Sequence, residues 1–295
     1  MLNKRRVYSL MIMSTIFYTF NGVIDFMVIK ALGVGLTAFF IGIGMLLGVI
    51  FSLYIFRMRL KLKKPSYYAF SAVSALFIVF YNVLLFLAYV KYTLASIYPL
   101  IGLSALIFLI IDILKYKSKL SGALIVVMIL AVVLIVFGVF FAESSGFSFH
   151  TSTLPFVLGI SVFAGVGYYM EFYKIKKYSV GSKILLQPLF LVIIAIFLVN
   201  HIPIVSKVNY LFIALGIIGG MLFILASTFE LRAMKISNTA SVRKTVINRN
   251  LINDFEYADT LLVLLGSVLI GSFTYEQIFG GVLIVAGIVL LSSAK

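Results

Sequence analysis

Long apolar runs separated by short polar gaps set the pattern of this chain. A membrane-crossing helix needs roughly 20 mostly apolar residues. Such runs occupy 7–29, 35–55, 67–90, 94–113, 122–141, 154–172, 184–200 and 211–231. A ninth run is interrupted by polar residues, and a tenth, 278–291, is short and predicts a start inside 273–277. The first run follows Lys4, Arg5 and Arg6, as in a signal peptide. It exceeds the roughly 7–15 apolar residues of a signal core, so we read it as a retained first span.

Positive charge alternates from gap to gap. Lys4, Arg5 and Arg6 precede the first run, and Arg57, Arg59, Lys61, Lys63 and Lys64 follow the second. Lys115, Lys117 and Lys119 follow the fourth, Lys174, Lys176, Lys177 and Lys183 the sixth, and Arg232 and Lys235 the eighth. The other gaps hold only Lys30, Lys91 and Lys207. Cytoplasmic loops are the lysine- and arginine-rich ones, so the pattern places both termini in the cytoplasm if the spans number about ten. The fold class expected is therefore an all-α integral membrane protein. Short loops suit the plasma membrane of a prokaryote. Two small-xxx-small pairs, Gly44 with Gly48 and Gly216 with Gly220, allow close helix approach.

The segment 89–96, from Tyr89 through Lys91 to Ala95-Ser96, has a counterpart at 233–241, from Ala233 through Lys235 to Ala240-Ser241. After each comes a span and a helix opening on glycine, at Gly122 and at Gly280-Gly281. Two five-span halves, 1–145 and 150–295, result. An odd number of spans gives them opposite orientations, as in inverted-repeat secondary transporters.

Composition agrees with a lipid-facing surface. Of 295 residues, 63% are hydrophobic and 11% charged, too few polar groups to cover a water-facing fold. The net charge of +15 sits in the gaps rather than in a basic domain, which argues against a nucleic-acid partner. With no cysteine, thiol chemistry and disulfides are excluded. Motifs for zinc hydrolysis, a serine nucleophile or a phosphate loop are absent, so neither enzyme activity nor a cofactor is expected. His150 and His201 lie in separate outer loops on this reading and form no metal site.

Gly22-Val-Ile-Asp25-Phe26-Met-Val-Ile-Lys30 is similar to the Trp-x-x-Asn-Phe-x-x-x-Lys opening of the drug/metabolite transporter superfamily, EamA-like branch, with Gly22 and Asp25 at its Trp and Asn positions. The Ala-x-Lys-x-x-x-x-Ala-Ser junction at 233–241, Pro99, and Gly280-Gly-Val-Leu-Ile-Val-Ala-Gly287 also resemble that family. Ser241-Val-Arg243-Lys244-Thr245 resembles a basic pair that some members carry at the start of span nine. The resemblance implies small-molecule transport, often efflux, through a central cavity lined by spans one, three, four, six, eight and nine.

The chain departs from that pattern at 246–259, a polar insert carrying Arg249, Asp254, Glu256 and Asp259. Ile247, Leu251 and Phe255 form a stripe at helical spacing, as in an amphipathic helix on the membrane surface. The alternative is a cavity-lining segment that recognises a charged substrate. On the first reading span nine is about 257–273.

Ionisable residues inside spans are the default candidates for function. Glu230, then Glu171, then Asp25 are the candidates for proton coupling, against a bland reading as lysine-paired or snorkelling carboxylates; Asp112 is a fourth intramembrane acid. Substrate-binding candidates are Tyr18 and Asn21 in span one, Tyr81 and Asn82 in span three, Tyr98 beside Pro99, and Tyr168 and Tyr169 in span six. Aromatic walls with a few polar groups are what a small-molecule cavity needs; interhelical hydrogen bonding and core packing are the plainer readings. Arg243 and Lys244 would draw in an anionic substrate or contact lipid headgroups. The function expected is secondary-active transport of a small metabolite or xenobiotic by alternating access. The alternatives are a membrane scaffold docking partners on the insert, and a lipid-modifying enzyme. The expected partners are a small-molecule substrate and the bilayer, with a homodimer left open.

Overall fold

The computed structural model describes residues 2–58, 65–94, 97, 104, 107, 111, 122–143, 154–174, 180–201, 209–239, 261–271 and 273–293. All regular structure among them is helical: α1 (Leu2–Ile55), α2 (Pro65–Lys91), α3 (Gly122–Glu143), α4 (Leu154–Lys174), α5 (Val180–His201), α6 (Tyr210–Thr239) and α7 (Tyr275–Ser293), with a further helical stretch at 261–269. Four helical segments are long and apolar enough to cross a membrane: Arg6–Ile55, Tyr68–Lys91, Val180–Val199 and Tyr210–Ile236. Shorter apolar helices run over Ile129–Gly138, Leu158–Gly167 and Tyr275–Gly287.

α1 is not one rod. Gly33 has φ 76 and ψ 172, outside the helical region and open to glycine because it lacks a Cβ. A side chain built on Gly216 would meet Val28 and Phe40, each at 3.4 Å. Twelve residues of straight helix would hold those two about 18 Å apart. The chain therefore reverses at Gly33 into two arms, 2–32 and 34–55, as the two separate apolar runs predict.

The chain packs as two compact units, Met1–Val90 with Met170–Val242, and Lys91–Tyr169 with Arg243–Lys295. Each draws on both sequence halves.

In the first unit the two small-xxx-small pairs face each other. A Cβ on Gly44 would overlap the Ile217 carbonyl, and one on Gly220 would overlap that of Ile41. Gly48 meets Met221 Cα at 3.1 Å on the same measure. Backbone-to-backbone approach maximises dispersion contact where lipid offers no hydrophobic drive between helices. The register gives the directions. Gly35 faces Val199 and Gly42 faces Val192, so the second arm runs antiparallel to α5. It runs parallel to α6, with Gly44 at Ile217 and Gly48 at Met221 and Ile224. The first arm is antiparallel to α6, since Ser14 bonds Ala226 while Asn21 bonds Gly219.

α6 opens on an Asn209 cap, whose Oδ1 accepts the Leu211 N–H at 2.9 Å. It runs two turns beyond the expected end at 231, so Arg232 and Lys235 belong to the helix rather than to the following loop. Arg232 lies over the Phe56 ring at 4.6 Å, and Phe56 packs edge-on to Phe229 at 5.2 Å. α5 likewise begins at Val180, four residues before the predicted start, with consequences for Lys183 described below.

In the second unit α7 begins where the sequence places it. Thr274 and Gln277 form a capping box: the Thr274 N–H donates to Gln277 Oε1 at 2.9 Å and the Gln277 N–H to Thr274 Oγ1 at 3.3 Å. Thr93 donates to the same Oε1 at 3.0 Å. α7 runs antiparallel to α3, with Gly138 against Gly280 and Ile284, and Gly287 against Ala131 and Ile135. The helical stretch 261–269 gives way to a turn at Ile270 and Gly271 (φ 67), which ends the ninth run short of the expected 273. The insert 243–259 lies outside the described residues.

Candidate functional site

The first unit buries an ionisable cluster drawn from four helices. Tyr18, on the first arm of α1, donates its phenolic proton to Glu230 Oε2 of α6 at 2.9 Å. Ser227 Oγ lies 2.8 Å from the same phenol oxygen. With that one proton committed to Glu230, the serine is the donor in this second bond. Ser227 and Glu230 lie three residues apart on one face of α6 and so reach one phenol. Phe223, one turn earlier, packs edge-on to the Tyr18 ring with centroids 5.6 Å apart.

Lys183, in the first turn of α5, is the fourth member and lies within electrostatic range of Glu230. It is 1% exposed and Glu230 5% exposed, so water screens neither. Tyr81 of α2 is buried and within electrostatic range of the Tyr18 hydroxyl. Gln187 stands one turn beyond Lys183 on the same face of α5. It is buried, and its Oε1 has no hydrogen-bond partner among the described residues. Pro188 follows inside the helix and has no N–H to give, so the Ile184 carbonyl lacks its usual helical partner. This turn of α5 thus sets an amide oxygen, unpartnered among the described residues, one turn from a buried ammonium.

A second carboxylate, Asp25, lies two turns along the first arm. The Asn21 amide donates one hydrogen to Asp25 Oδ1 at 2.9 Å and the other to the Gly219 carbonyl of α6 at 3.2 Å. Gly219 gives this pair room: an added Cβ would stand 3.2 Å from Asp25 Oδ1 and 3.0 Å from the Ile24 side chain. Asn82 of α2 is also buried, and its Nδ2 finds no partner among the described residues.

Of the sequence candidates, Tyr18, Tyr81 and Glu230 come together, and Asn21 pairs with Asp25 in the same unit. Tyr169 lies on α4 in the second unit. Tyr168 and Glu171 are on α4 as well, with side chains outside the described residues; Tyr98, Asp112, Arg243 and Lys244 lie outside them altogether. Sequence reading missed Lys183, Gln187 and Ser227. Lys183 is counted there among cytoplasmic loop lysines, and the structure places it inside the helix. The readable signal was Lys183 and Gln187 at i, i+4 spacing just before Pro188, which sets two polar side chains on one helical face.

No protein-family model and no curated protein sequence matches the chain. Twelve chains of solved structures do match. One is a crystal structure that aligns over 96% of this chain and 95% of its own, with a TM-score of 0.59 and 19% sequence identity. At that identity the likeness speaks for a shared fold and for no activity.

Proposed function

We propose that this chain is a secondary-active transporter of a small metabolite or xenobiotic, working by alternating access, in the efflux direction. Its about ten spans would form a five-plus-five inverted repeat of the EamA-like kind. The observation that carries the reading is the Tyr18–Glu230–Lys183 cluster, buried within helices long and apolar enough to cross a membrane. Ionisable groups are expensive in such helices and mark solute or ion pathways. A carboxylate that accepts from a phenol of another helix and lies within range of a buried ammonium makes a better solute site than a lone snorkelling acid. Of the proton-coupling candidates, Glu230 is the one so placed, and we take it as the carboxylate that handles cations. The alternating directions of α1, α5 and α6, and of α3 and α7, support the span count. The register places no demand on the chemistry.

The test is flux through purified protein in proteoliposomes, after a thermal-shift panel of amino acids, amines, nucleosides and sugar phosphates has chosen the solutes. A ligand that binds the native state raises its melting temperature by mass action. Saturable, gradient-driven flux of a stabilising solute, lost in Glu230→Ala, is the expected result. A stabilising ligand with no flux in either direction would sink the transport reading and move the scaffold reading forward.

A further inference from the structure

The end of the first unit that the charge pattern assigns to the cytoplasm carries a guanidinium without an anion. Arg232 is half-buried on the apolar segment Tyr210–Ile236 of α6. It lies over the Phe56 ring at 4.6 Å. Phe56 is held edge-on by Phe229 at 5.2 Å, and Phe229 meets Phe17 of the first arm at 5.7 Å. Contact with a ring gives the five guanidinium N–H donors no oxygen acceptor. Among the described residues no carboxylate or carbonyl takes any of them.

Arg57, next in sequence to Phe56, is unusual in its backbone. The second arm ends in a Schellman cap: the Met58 N–H donates to the Leu53 carbonyl at 3.1 Å, and the Arg57 N–H to that of Tyr54 at 3.3 Å. The left-handed position of such a cap usually belongs to glycine, because a Cβ is strained there. Here it belongs to Arg57, with φ 47, the one non-glycine residue of positive φ among the described residues. The helix dipole favours a cation near this end but does not ask for it on the strained residue. The last turns of the second arm that lead to the cap expose Ile50, Phe51, Tyr54 and Ile55. What is missing is an anion with several acceptor oxygens, joined to something apolar.

We propose that Arg232 and Arg57 hold the headgroup phosphate of an anionic phospholipid at this end of the first unit, with its acyl chains along the exposed apolar face of the second arm. The proposal rests on the reading of these helices as membrane spans and is independent of transport. Two phosphate oxygens match the fork of a guanidinium, and the Phe56 ring keeps that fork from wandering. Arg57 adds a second cation one residue from the ring that Arg232 covers. A free phosphate ion would answer the two arginines and leave the apolar face bare. A phospholipid answers both.

The test is thermal unfolding of the full chain in a neutral detergent. The titrants are dioctanoyl-phosphatidylglycerol, zwitterionic dioctanoyl-phosphatidylcholine, and inorganic phosphate at matched ionic strength. A ligand of the native state raises the melting temperature by mass action. Phosphatidylglycerol should stabilise the wild type, and the other two should do so far less. Arg232→Gln should need about tenfold more phosphatidylglycerol for the same shift, as the loss of one charge-assisted hydrogen bond implies. Arg57→Gly separates lipid binding from capping, because its two effects have opposite signs. Without lipid it should melt above the wild type, since glycine is unstrained at φ 47. With phosphatidylglycerol it should gain less than the wild type does. An equal gain would make Arg57 a cap and nothing more, and an unchanged response in Arg232→Gln would overturn the site. Lys30→Gln removes a cation at the other end of the unit and should leave the phosphatidylglycerol shift as it is. A loss equal to that of Arg232→Gln would reduce the effect to net charge and overturn the proposal. Stabilisation by inorganic phosphate equal to that by the lipid would do the same, in favour of a free anion. If Arg232→Gln does not fold, Arg232→Lys keeps the charge and lacks the fork. Its preference for phosphatidylglycerol over phosphatidylcholine should fall, and an unchanged preference counts against the site.

Discussion

Among the described residues the first unit buries two carboxylates against the same helix pair, and they are held in opposite ways. Asp25 and Asn21 are local, one turn apart on a single arm, and among the described residues the hydrogen bond that reaches Asp25 comes from a neutral amide. That amide is also tied to the Gly219 carbonyl, so the group is locked between α1 and α6. Glu230 instead accepts from a phenol of α1 and lies within electrostatic range of the buried Lys183 of α5, each on a different helix. The difference teaches which carboxylate can respond to helix motion. The Asn21–Asp25 bond lies within one arm and would survive a shift of that arm against α6. The Tyr18–Glu230 bond crosses between helices and would not.

The largest effect should come from breaking the charge pair. Removing one member of a buried pair leaves the other uncompensated, at about 3–5 kcal/mol. Lys183→Met alone should therefore lower the melting temperature of the detergent-solubilised protein sharply, and Glu230→Gln alone should do so too. The double variant should recover most of the loss. If the double variant is as unstable as the sum of the singles, the two side chains are not coupled and the contrast with Asp25 disappears.

Tyr18→Phe comes next. It deletes the hydroxyl that links Ser227 to Glu230 and leaves the ring against Phe223 in place. A bond to a charged acceptor contributes roughly 1.5–3 kcal/mol. A two-variant cycle with Ser227→Ala should show strong non-additivity, because both bonds share one oxygen. Additive losses would mean that the phenol does not hold the three groups as a unit.

These sites were partly legible in the sequence, and the reason is geometric. Runs of apolar residues fixed the spans because backbone polar groups in lipid must be satisfied within a helix. The glycine pairs at 44/48 and 216/220 were readable as motifs, but not as each other's partners. Pairing them requires the tertiary register, which local pattern does not carry. Tyr18, Asn21, Tyr81 and Glu230 stood out as polar groups deep in apolar runs. Lys183 did not, because a lysine at the edge of a run is the ordinary mark of a cytoplasmic loop. Its burial follows from the four helical residues that precede the predicted start of α5. The direction change at Gly33 was visible only as a gap between runs, since a continuous helical backbone and a hairpin share the same residues.

Asn21→Leu tests the Asp25 side of the comparison with a smaller expected effect. The leucine fills a similar volume but gives no donor to Asp25 Oδ1 or to the Gly219 carbonyl. Stranding a buried acceptor costs about 1–3 kcal/mol, and interhelical bonds in membranes fall at the low end. A loss of about 1–2 kcal/mol in thermal or denaturant unfolding is expected, with solute binding at Glu230 unchanged. A shift in solute affinity in this variant would show that the two carboxylates form one site.

The smallest effect should belong to Asp25→Asn. The new amide keeps the size of the carboxyl and an oxygen for the Asn21 hydrogen bond. Among the described residues no cation faces Asp25, so removing its charge leaves no partner stranded. The stability change should stay within about 1 kcal/mol, the net worth of one ordinary hydrogen bond. Glu230→Gln is the same chemical change and strands Lys183, so the two amide substitutions should differ by several-fold in their effect on melting temperature. The measurement is a side-by-side unfolding series of both variants in one detergent. Equal losses would mean that Asp25 also serves a buried cation, and the contrast between the two carboxylates would then fall.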